Sequence, residues 1–291
     1  MFTGAVTALV TPFDREGEVD LKALSRLVHW QVEQGIDGLL ACGCTGEAAT
    51  LKESERLEVV KAVLEAADGK VPVMAGTGTN GTSSTIDLSV KVSDLGVDGL
   101  LLITPYYNKP TAEGQFRHFT AVADAVDLPV YVYNVPGRTG ASIEVSTAAE
   151  LSEHPRIAGI KDAAGSAERV TALRRSCADG FSVLSGDDPI AMAQAALGAD
   201  GVVSVTSNVA PAEMSELMEA AGGGDLERAR GIQQRLYPVF KALFLQTNPI
   251  PVKCALSMKG MIDNSLRLPL VPLAEELRPR LRSVLEEAGL V

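Results

Sequence analysis

The sequence predicts an α/β protein built on a closed (β/α)8 (TIM) barrel with a C-terminal helical appendage. Strand-like and helix-like segments alternate eight times between Gly4 and Ala221. The strand-like segments are apolar on both faces, which is typical of parallel strands covered by helices. Eight such units in succession favour a closed barrel over an open sheet. The pattern stops at Gly222-Gly223-Gly224, and only helical periodicity remains beyond it.

The predicted strands are short apolar runs bounded by glycine, proline or polar residues. The clearest is the block Leu100-Leu101-Leu102-Ile103. They cover residues 5–10, 37–42, 72–76, 99–104, 129–134, 157–161, 181–185 and 201–205.

The predicted helices carry apolar residues at i, i+3 and i+4. The first one shows the end signals, with Asp20 as N-cap and Gly35 as the stop. Those of the barrel cover residues 20–34, 52–67, 82–95, 111–125, 143–153, 167–177, 189–197 and 211–221. Three more follow, at 225–245, 251–261 and 273–288. We therefore divide the chain into a catalytic barrel, 1–224, and a C-terminal helical domain, 225–291, used in packing or oligomerisation.

Composition excludes several classes of function. The chain has 46% hydrophobic and 22% charged residues, enough apolar material for a large core, and a net charge of −11. It has no basic run, which argues against nucleic-acid and anionic membrane partners. No targeting segment and no apolar run of about 18 residues is found, so we expect a cytoplasmic protein. The pair Cys42 and Cys44 has no second pair to complete a metal site, and no metal is predicted.

Lys161 is the first candidate for chemistry because it ends an apolar strand. In a barrel the carboxyl ends of the strands carry the active site. An ammonium buried there is costly, so its pKa falls and part of it becomes a neutral amine. Such an amine attacks carbonyl carbon and forms a Schiff base. The alternative is a lysine that extends to solvent from the end of its strand.

The loops after the other strands offer complementary groups. Taken singly, each has an ordinary explanation: a glycine-rich turn, amphipathic tyrosines at a rim, a solvated arginine, and the start of a helix at Asp187 and Asp188. Together on one rim they supply a nucleophile, phenols, a guanidinium and a nest of backbone N–H groups. That combination suits activation of a carbonyl in an anionic substrate. The loops are Cys42-Gly43-Cys44-Thr45-Gly46-Glu47, Thr104-Pro105-Tyr106-Tyr107-Asn108, Tyr133-Asn134-Val135-Pro136-Gly137-Arg138-Thr139-Gly140 and Gly186-Asp187-Asp188.

Several of these motifs occur together in one known family. They are Gly43-x-Thr45-Gly46-Glu47, Tyr133-Asn134-x-Pro136, the Lys161 strand, Tyr106-Tyr107-Asn108-Lys109-Pro110 and Pro136-Gly137-Arg138-Thr139-Gly140. From end to end, the chain resembles the dihydrodipicolinate synthase family. That family lies in a superfamily with N-acetylneuraminate lyase and the 2-keto-3-deoxy sugar-acid aldolases. The arginine at 138 separates the synthases from their sugar-acid relatives.

The resemblance implies condensation of pyruvate with L-aspartate 4-semialdehyde to 4-hydroxy-tetrahydrodipicolinate, in lysine and diaminopimelate biosynthesis. It implies no cofactor, and a homotetramer built as a dimer of dimers. It also implies that Lys161 forms the Schiff base and that Tyr133 transfers protons. By the same resemblance, Thr45 holds the pyruvate carboxylate and Arg138 binds the semialdehyde carboxylate. Tyr107 would link the site to a neighbouring subunit, and Gly186 and Val203 would line the pocket.

The chain departs from the family pattern in two places. Cys44 stands where a threonine hydroxyl joins two tyrosines in a proton relay, and a thiol is the weaker hydrogen-bonding group. We hypothesise that the relay is impaired or works differently; the alternative is a tolerated small side chain. Feedback-inhibited members bind lysine with a glutamate and a histidine, where this chain has Ser84 and Arg56. We predict weak or absent inhibition by lysine, because the carboxylate is missing and the guanidinium repels an ammonium.

Two other functions stay open on the sequence. One is a class I pyruvate-dependent aldolase or lyase acting on a 2-oxo sugar acid, which uses the same lysine chemistry. The other is a catalytically silent barrel impaired at Cys44.

Overall fold

A computed structural model describes the whole chain, residues 1–291. Eight parallel strands form one closed barrel in sequential order, and β8 pairs with β1 to close it. This confirms the predicted fold class. The strands are β1 (Gly4–Ala8), β2 (Gly38–Ala41), β3 (Val73–Gly76), β4 (Gly99–Ile103), β5 (Val130–Asn134), β6 (Ile157–Asp162), β7 (Ser182–Ser185) and β8 (Gly201–Ser204).

Eight helices alternate with the strands and one short helical turn, α5, follows β5. The helices up to the end of the barrel are α1 (Leu21–Glu33), α2 (Glu53–Ala67), α3 (Thr82–Ser93), α4 (Ala112–Asp124), α5 (Pro136–Thr139), α6 (Val145–Ser152), α7 (Glu168–Ser176), α8 (Ala191–Ala196) and α9 (Pro211–Gly222). The C-terminal segment adds α10 (Leu226–Ala242), α11 (Ile250–Met258) and α12 (Arg278–Glu287).

Every predicted strand and long helix has a counterpart in the structure. The sequence analysis missed α5 and the 3-10 turns at Ala48–Thr50 and Thr206–Asn208, since a single turn is too short to show a helical period. Strand β6 runs one residue further than predicted, to Asp162, because that residue still pairs with Asn134 and Ser185 on its neighbours.

The barrel separates two apolar cores. The larger lies between the strands and the surrounding helices and extends into the C-terminal segment. The smaller fills the barrel itself and includes Phe2, Tyr131 and Tyr133. Phe2 and Tyr131 meet edge to face, with ring centroids 5.6 Å apart, at the amino-terminal end of the strands. Tyr133 lies two residues further along β5, so it points into the same interior nearer the carboxyl end.

The C-terminal helices pack on one side of the barrel. Helix α10 packs against α8 and α9, and α12 packs against α10 and α11. None of the helices combines the length and the apolar character needed to cross a membrane.

Candidate active site

Lys161 lies at the carboxyl end of β6 and points into the barrel. Its neighbours in register are Tyr133 on β5 and Leu184 on β7. The residue is only 6% exposed, and its Nζ lies 4.1 Å from the centroid of the Tyr133 ring. Burial lowers the pKa of Lys161 to about 8, although Cys44 and Asp188 act in the opposite sense. No carboxylate is hydrogen-bonded to it, so a large fraction of this amine is neutral at mildly alkaline pH.

Tyr133 carries the aromatic ring beside this amine. Its pKa is raised well above the usual value, first by burial and then by Cys44, while Arg138 opposes the shift. The phenol therefore stays protonated at neutral pH and can donate a proton to an oxygen bound beside Lys161.

Gly186 gives the Lys161 side chain its space. A Cβ at this position would lie 2.7 Å from the Ala163 Cβ and 3.2 Å from the Lys161 Cε. A larger residue would push the side chain of Lys161 aside, which explains why glycine occupies the position after β7.

A tight loop after β2 presents donors to the same space. The loop runs from Cys42 to Glu47, and both of these end residues have a positive φ of 53°. The backbone N–H groups of Cys44 and Thr45 donate to no acceptor in the protein. Together with the Thr45 hydroxyl they form a nest suited to a carboxylate.

Arg138 lies on α5, where the chain leaves β5. The side chain is exposed, and its Nη2 donates to the backbone oxygen of Asn248 at 3.1 Å. The Asn248 Nδ2 in turn donates to the Thr45 Oγ1 at 2.9 Å. Asn248 thus connects the guanidinium to the loop that carries the nest.

These side chains line one cavity of about 370 Å³. It brings together seven of the eight residues that the sequence analysis selected, namely Cys44, Thr45, Tyr133, Arg138, Lys161, Gly186 and Val203. A second cavity of about 280 Å³ adjoins it and shares Cys44, Tyr133, Arg138 and Asn248.

Tyr107 is the selected residue that the fold does not bring to the cavity. It is 89% exposed and has a positive φ of 71°. It lines neither of the two cavities. Its assignment to a link between subunits stays a prediction.

Two residues of the site were missed. Asn248 comes from the C-terminal segment, which the sequence analysis assigned to packing or oligomerisation only; nothing in its local sequence indicates the role. Asp188 was interpreted as a helix start, and it does begin a 3-10 turn. Its carboxylate, however, accepts the N–H groups of Val205 at 3.1 Å and Thr206 at 2.8 Å. It thereby ties the loop after β7 to the loop after β8 beside Lys161.

Of the two residues compared with lysine-inhibited relatives, Arg56 lies at the second cavity and Ser84 does not line it. Arg56 lines that cavity with Tyr106 and donates to the backbone oxygen of Ala48. The Ser84 hydroxyl is exposed and lies 2.8 Å from the Thr79 Oγ1. Weak or absent inhibition by lysine stays a prediction.

Comparison with known proteins identifies the family. The model of the Dihydrodipicolinate synthetase family matches residues 1–288. A protein of Pelobacter propionicus named 4-hydroxy-tetrahydrodipicolinate synthase is 47% identical over 291 residues, covering 100% of both chains. One of the same name from Nitratidesulfovibrio vulgaris is 49% identical, covering 100% of this chain and 99% of the relative.

A solved structure agrees over the full length. The chloride-inhibited dihydrodipicolinate synthase of Acinetobacter baumannii, in complex with pyruvate, is 46% identical and superposes with a TM-score of 0.99, covering 100% of both chains. Sequence, fold and site geometry point the same way: this chain belongs to the dihydrodipicolinate synthetase family.

Proposed function

We propose that this protein condenses pyruvate with L-aspartate 4-semialdehyde to give 4-hydroxy-tetrahydrodipicolinate, a step of lysine and diaminopimelate biosynthesis. The observation that carries the proposal is the placement of Lys161. A buried amine without a carboxylate partner faces a cavity that also holds a protonated phenol, a nest of N–H groups and a guanidinium. Full-length relatives carry the name of this enzyme.

In the first half of the reaction the neutral amine of Lys161 attacks the carbonyl carbon of pyruvate. Tyr133 donates a proton to the carbonyl oxygen, water leaves, and a protonated imine forms. Thr45 and the N–H groups of the nest hold the carboxylate and fix the angle of attack. The Tyr133 phenolate left by this step then takes a proton from the pyruvate methyl group and becomes a phenol again; an enamine forms, because the iminium accepts the electron pair.

In the second half the enamine carbon attacks the aldehyde carbon of the semialdehyde. Arg138 at the mouth of the cavity binds the carboxylate of this second substrate. Tyr133 protonates the new alkoxide. The amino group of the semialdehyde then replaces Lys161 at the imine carbon, which closes the ring and frees the enzyme.

The remaining assignments follow from the family. Cys44 takes the middle position of a proton relay between Tyr133 and Tyr107 of a neighbouring subunit, in a homotetramer built as a dimer of dimers. Gly186 and Val203 form the wall of the pyruvate pocket. Residues 1–224 act as the catalytic barrel and 225–291 as a helical domain. The four cysteines are free, which suits a reducing, cytoplasmic compartment.

Borohydride reduction in the presence of pyruvate tests the Schiff base. We expect a mass increase on the peptide that contains Lys161, and none without pyruvate. A protein that traps no pyruvate would be the silent barrel. Product formation with aspartate semialdehyde, and not with 2-keto-3-deoxygluconate or N-acetylneuraminate, separates the synthase from a sugar-acid aldolase.

A further inference from the structure

A second buried lysine lies beneath the loop that carries the carboxylate nest. Lys253, on α11, has no exposed surface. Its Nζ donates to the Glu47 Oε1 at 2.6 Å and to the backbone oxygen of Thr11 at 2.9 Å. It also lies 4.2 Å from the centroid of the Phe13 ring. The proposed chemistry uses none of these groups.

Glu47 is the last residue of that loop, which we call the carboxylate loop, residues 42–47. The side chain is 1% exposed, and its second oxygen, Oε2, accepts the backbone N–H of Arg267 at 3.2 Å. Its backbone is in the left-handed region, which a non-glycine residue keeps only when its surroundings hold it there. The partners of this carboxylate therefore help to hold the loop in its conformation.

The loop is held at two further points by the same neighbours. Thr11, whose carbonyl accepts from Lys253, donates its own hydroxyl to the backbone oxygen of Gly46 at 2.7 Å. Asn248, just before α11, donates to the Thr45 hydroxyl. Contacts from the start of α11 and from the segment after β1 thus hold the carboxylate loop at Thr45, Gly46 and Glu47.

Stability alone is a poor explanation for a charged pair at this place. Removing two charges from water is costly, and a well-packed apolar pair of similar volume is often as stable. A buried ion pair does, however, impose one geometry, because each charge has a single place where its hydrogen bonds are satisfied. That property matters in a loop that must present donors to a substrate.

We propose that Lys253 is a positioning residue: through Glu47 and Thr11 it holds the carboxylate loop in the shape that presents the Thr45 hydroxyl and the free N–H groups of Cys44 and Thr45 to the carboxylate of a 2-oxo acid. The inference rests on the proposed binding of pyruvate at that nest. It adds that the C-terminal segment controls the affinity of the barrel for its first substrate.

The test is the double variant Lys253→Met/Glu47→Gln, which removes both charges together and leaves neither buried alone. The measurement is the pyruvate concentration that gives half of the maximal borohydride trapping. We expect it to rise about ten- to a hundredfold, the size of effect that a misplacement of about 1 Å produces. Maximal trapping at saturating pyruvate and the KM for the semialdehyde should stay close to wild type.

The matched control is the neighbouring pair of Arg267 and Glu55. Arg267 Nη2 lies 2.6 Å from Glu55 Oε1, and both side chains are largely buried. The variant Arg267→Met/Glu55→Gln removes the same number of charges from the same region but leaves the side-chain contacts of Glu47 with Lys253 intact. Its half-saturation for pyruvate should match the wild type.

Three results are distinguishable. If the test variant has wild-type half-saturation, or if both variants weaken pyruvate equally, Lys253 has no positioning role. If the wild type traps no pyruvate at all, the proposed function fails instead. Should circular dichroism show the double variant unfolded, the variant Lys253→Gln/Glu47→Gln, which also removes both charges but keeps two polar side chains, replaces it under the same criterion.

Discussion

Lys161 and Lys253 are two buried lysines in the same molecule with opposite surroundings. Burial lowers the pKa of each to about 8. Lys253 nevertheless has a carboxylate and a carbonyl within hydrogen-bonding distance. Each amine also lies over an aromatic ring, but Lys161 has no such acceptor and lies at the wall of a cavity.

A lowered pKa therefore does not by itself make a lysine reactive. A nucleophile needs a free lone pair and an approach path for the carbonyl carbon. Lys253 has neither, since its Nζ is committed to Glu47 and Thr11 in a fully enclosed place. The end of a barrel strand supplies both to Lys161.

The largest expected difference between the two lysines appears when each is replaced by methionine. Lys161→Met should abolish trapping and lower kcat about 10³-fold or more. Its free energy of unfolding should stay equal or rise, because a buried amine without a partner is removed. Lys253→Met should instead cost about 3–5 kcal/mol of unfolding free energy, since it leaves the Glu47 carboxylate buried and unpaired. Urea unfolding and steady-state kinetics measure the two effects; a large stability loss in the first variant, or none in the second, would contradict this view.

The pH dependence of imine formation is a smaller expected effect, and its direction follows from the pKa of Lys161. The amine of Lys161 must be neutral to attack, so the rate of imine formation at subsaturating pyruvate should rise through pH 8 and level off above it. Timed incubation at each pH, followed by a borohydride quench at one fixed pH, measures the rate. The double variant at Lys253 and Glu47 should shift the pyruvate concentration needed, not the midpoint pH. A profile without a rise near pH 8 would show that another group limits the step.

The free energy of unfolding should depend on protonation of the same amine, that of Lys161. The folded pKa of Lys161 lies near 8, below its ordinary value of 10.5, so between these two values the unfolded chain binds more protons than the folded one. The free energy of unfolding therefore rises with pH across that window. Lys161→Met should show a correspondingly flatter curve.

The smallest expected effect concerns the thiol beside Lys161. A hydroxyl is the better donor and acceptor for a proton relay, so Cys44→Thr should give a kcat at least equal to that of the wild type. The control is its effect on half-saturation for pyruvate, which the backbone of the carboxylate loop sets and which should not move. A large loss of kcat would show that the thiol is the adapted group.

Sequence reasoning reached Lys161 and failed to reach Lys253, for physical reasons. Lys161 ends an apolar run, and in a barrel the carboxyl end of a strand lies at the rim that carries the active site. Lys253 lies in a short helix among apolar residues, where a lysine usually extends to solvent. Its partners, Glu47 and Thr11, are more than two hundred residues away in the chain. Asn248 was missed for the same reason, since its contact with Thr45 spans a comparable distance.

The packing of Phe2 on Tyr131 closes the barrel at the end opposite to the site. The cavity that holds Lys161 is therefore closed towards the amino ends of the strands, and exposed Arg138 lies at its rim on the other side. The 2-oxo acid must enter and become covalently fixed at the base before the aldehyde can occupy the space above it. A semialdehyde that enters first stands in the path of pyruvate, so at high concentration it should act as a competitor of the first substrate.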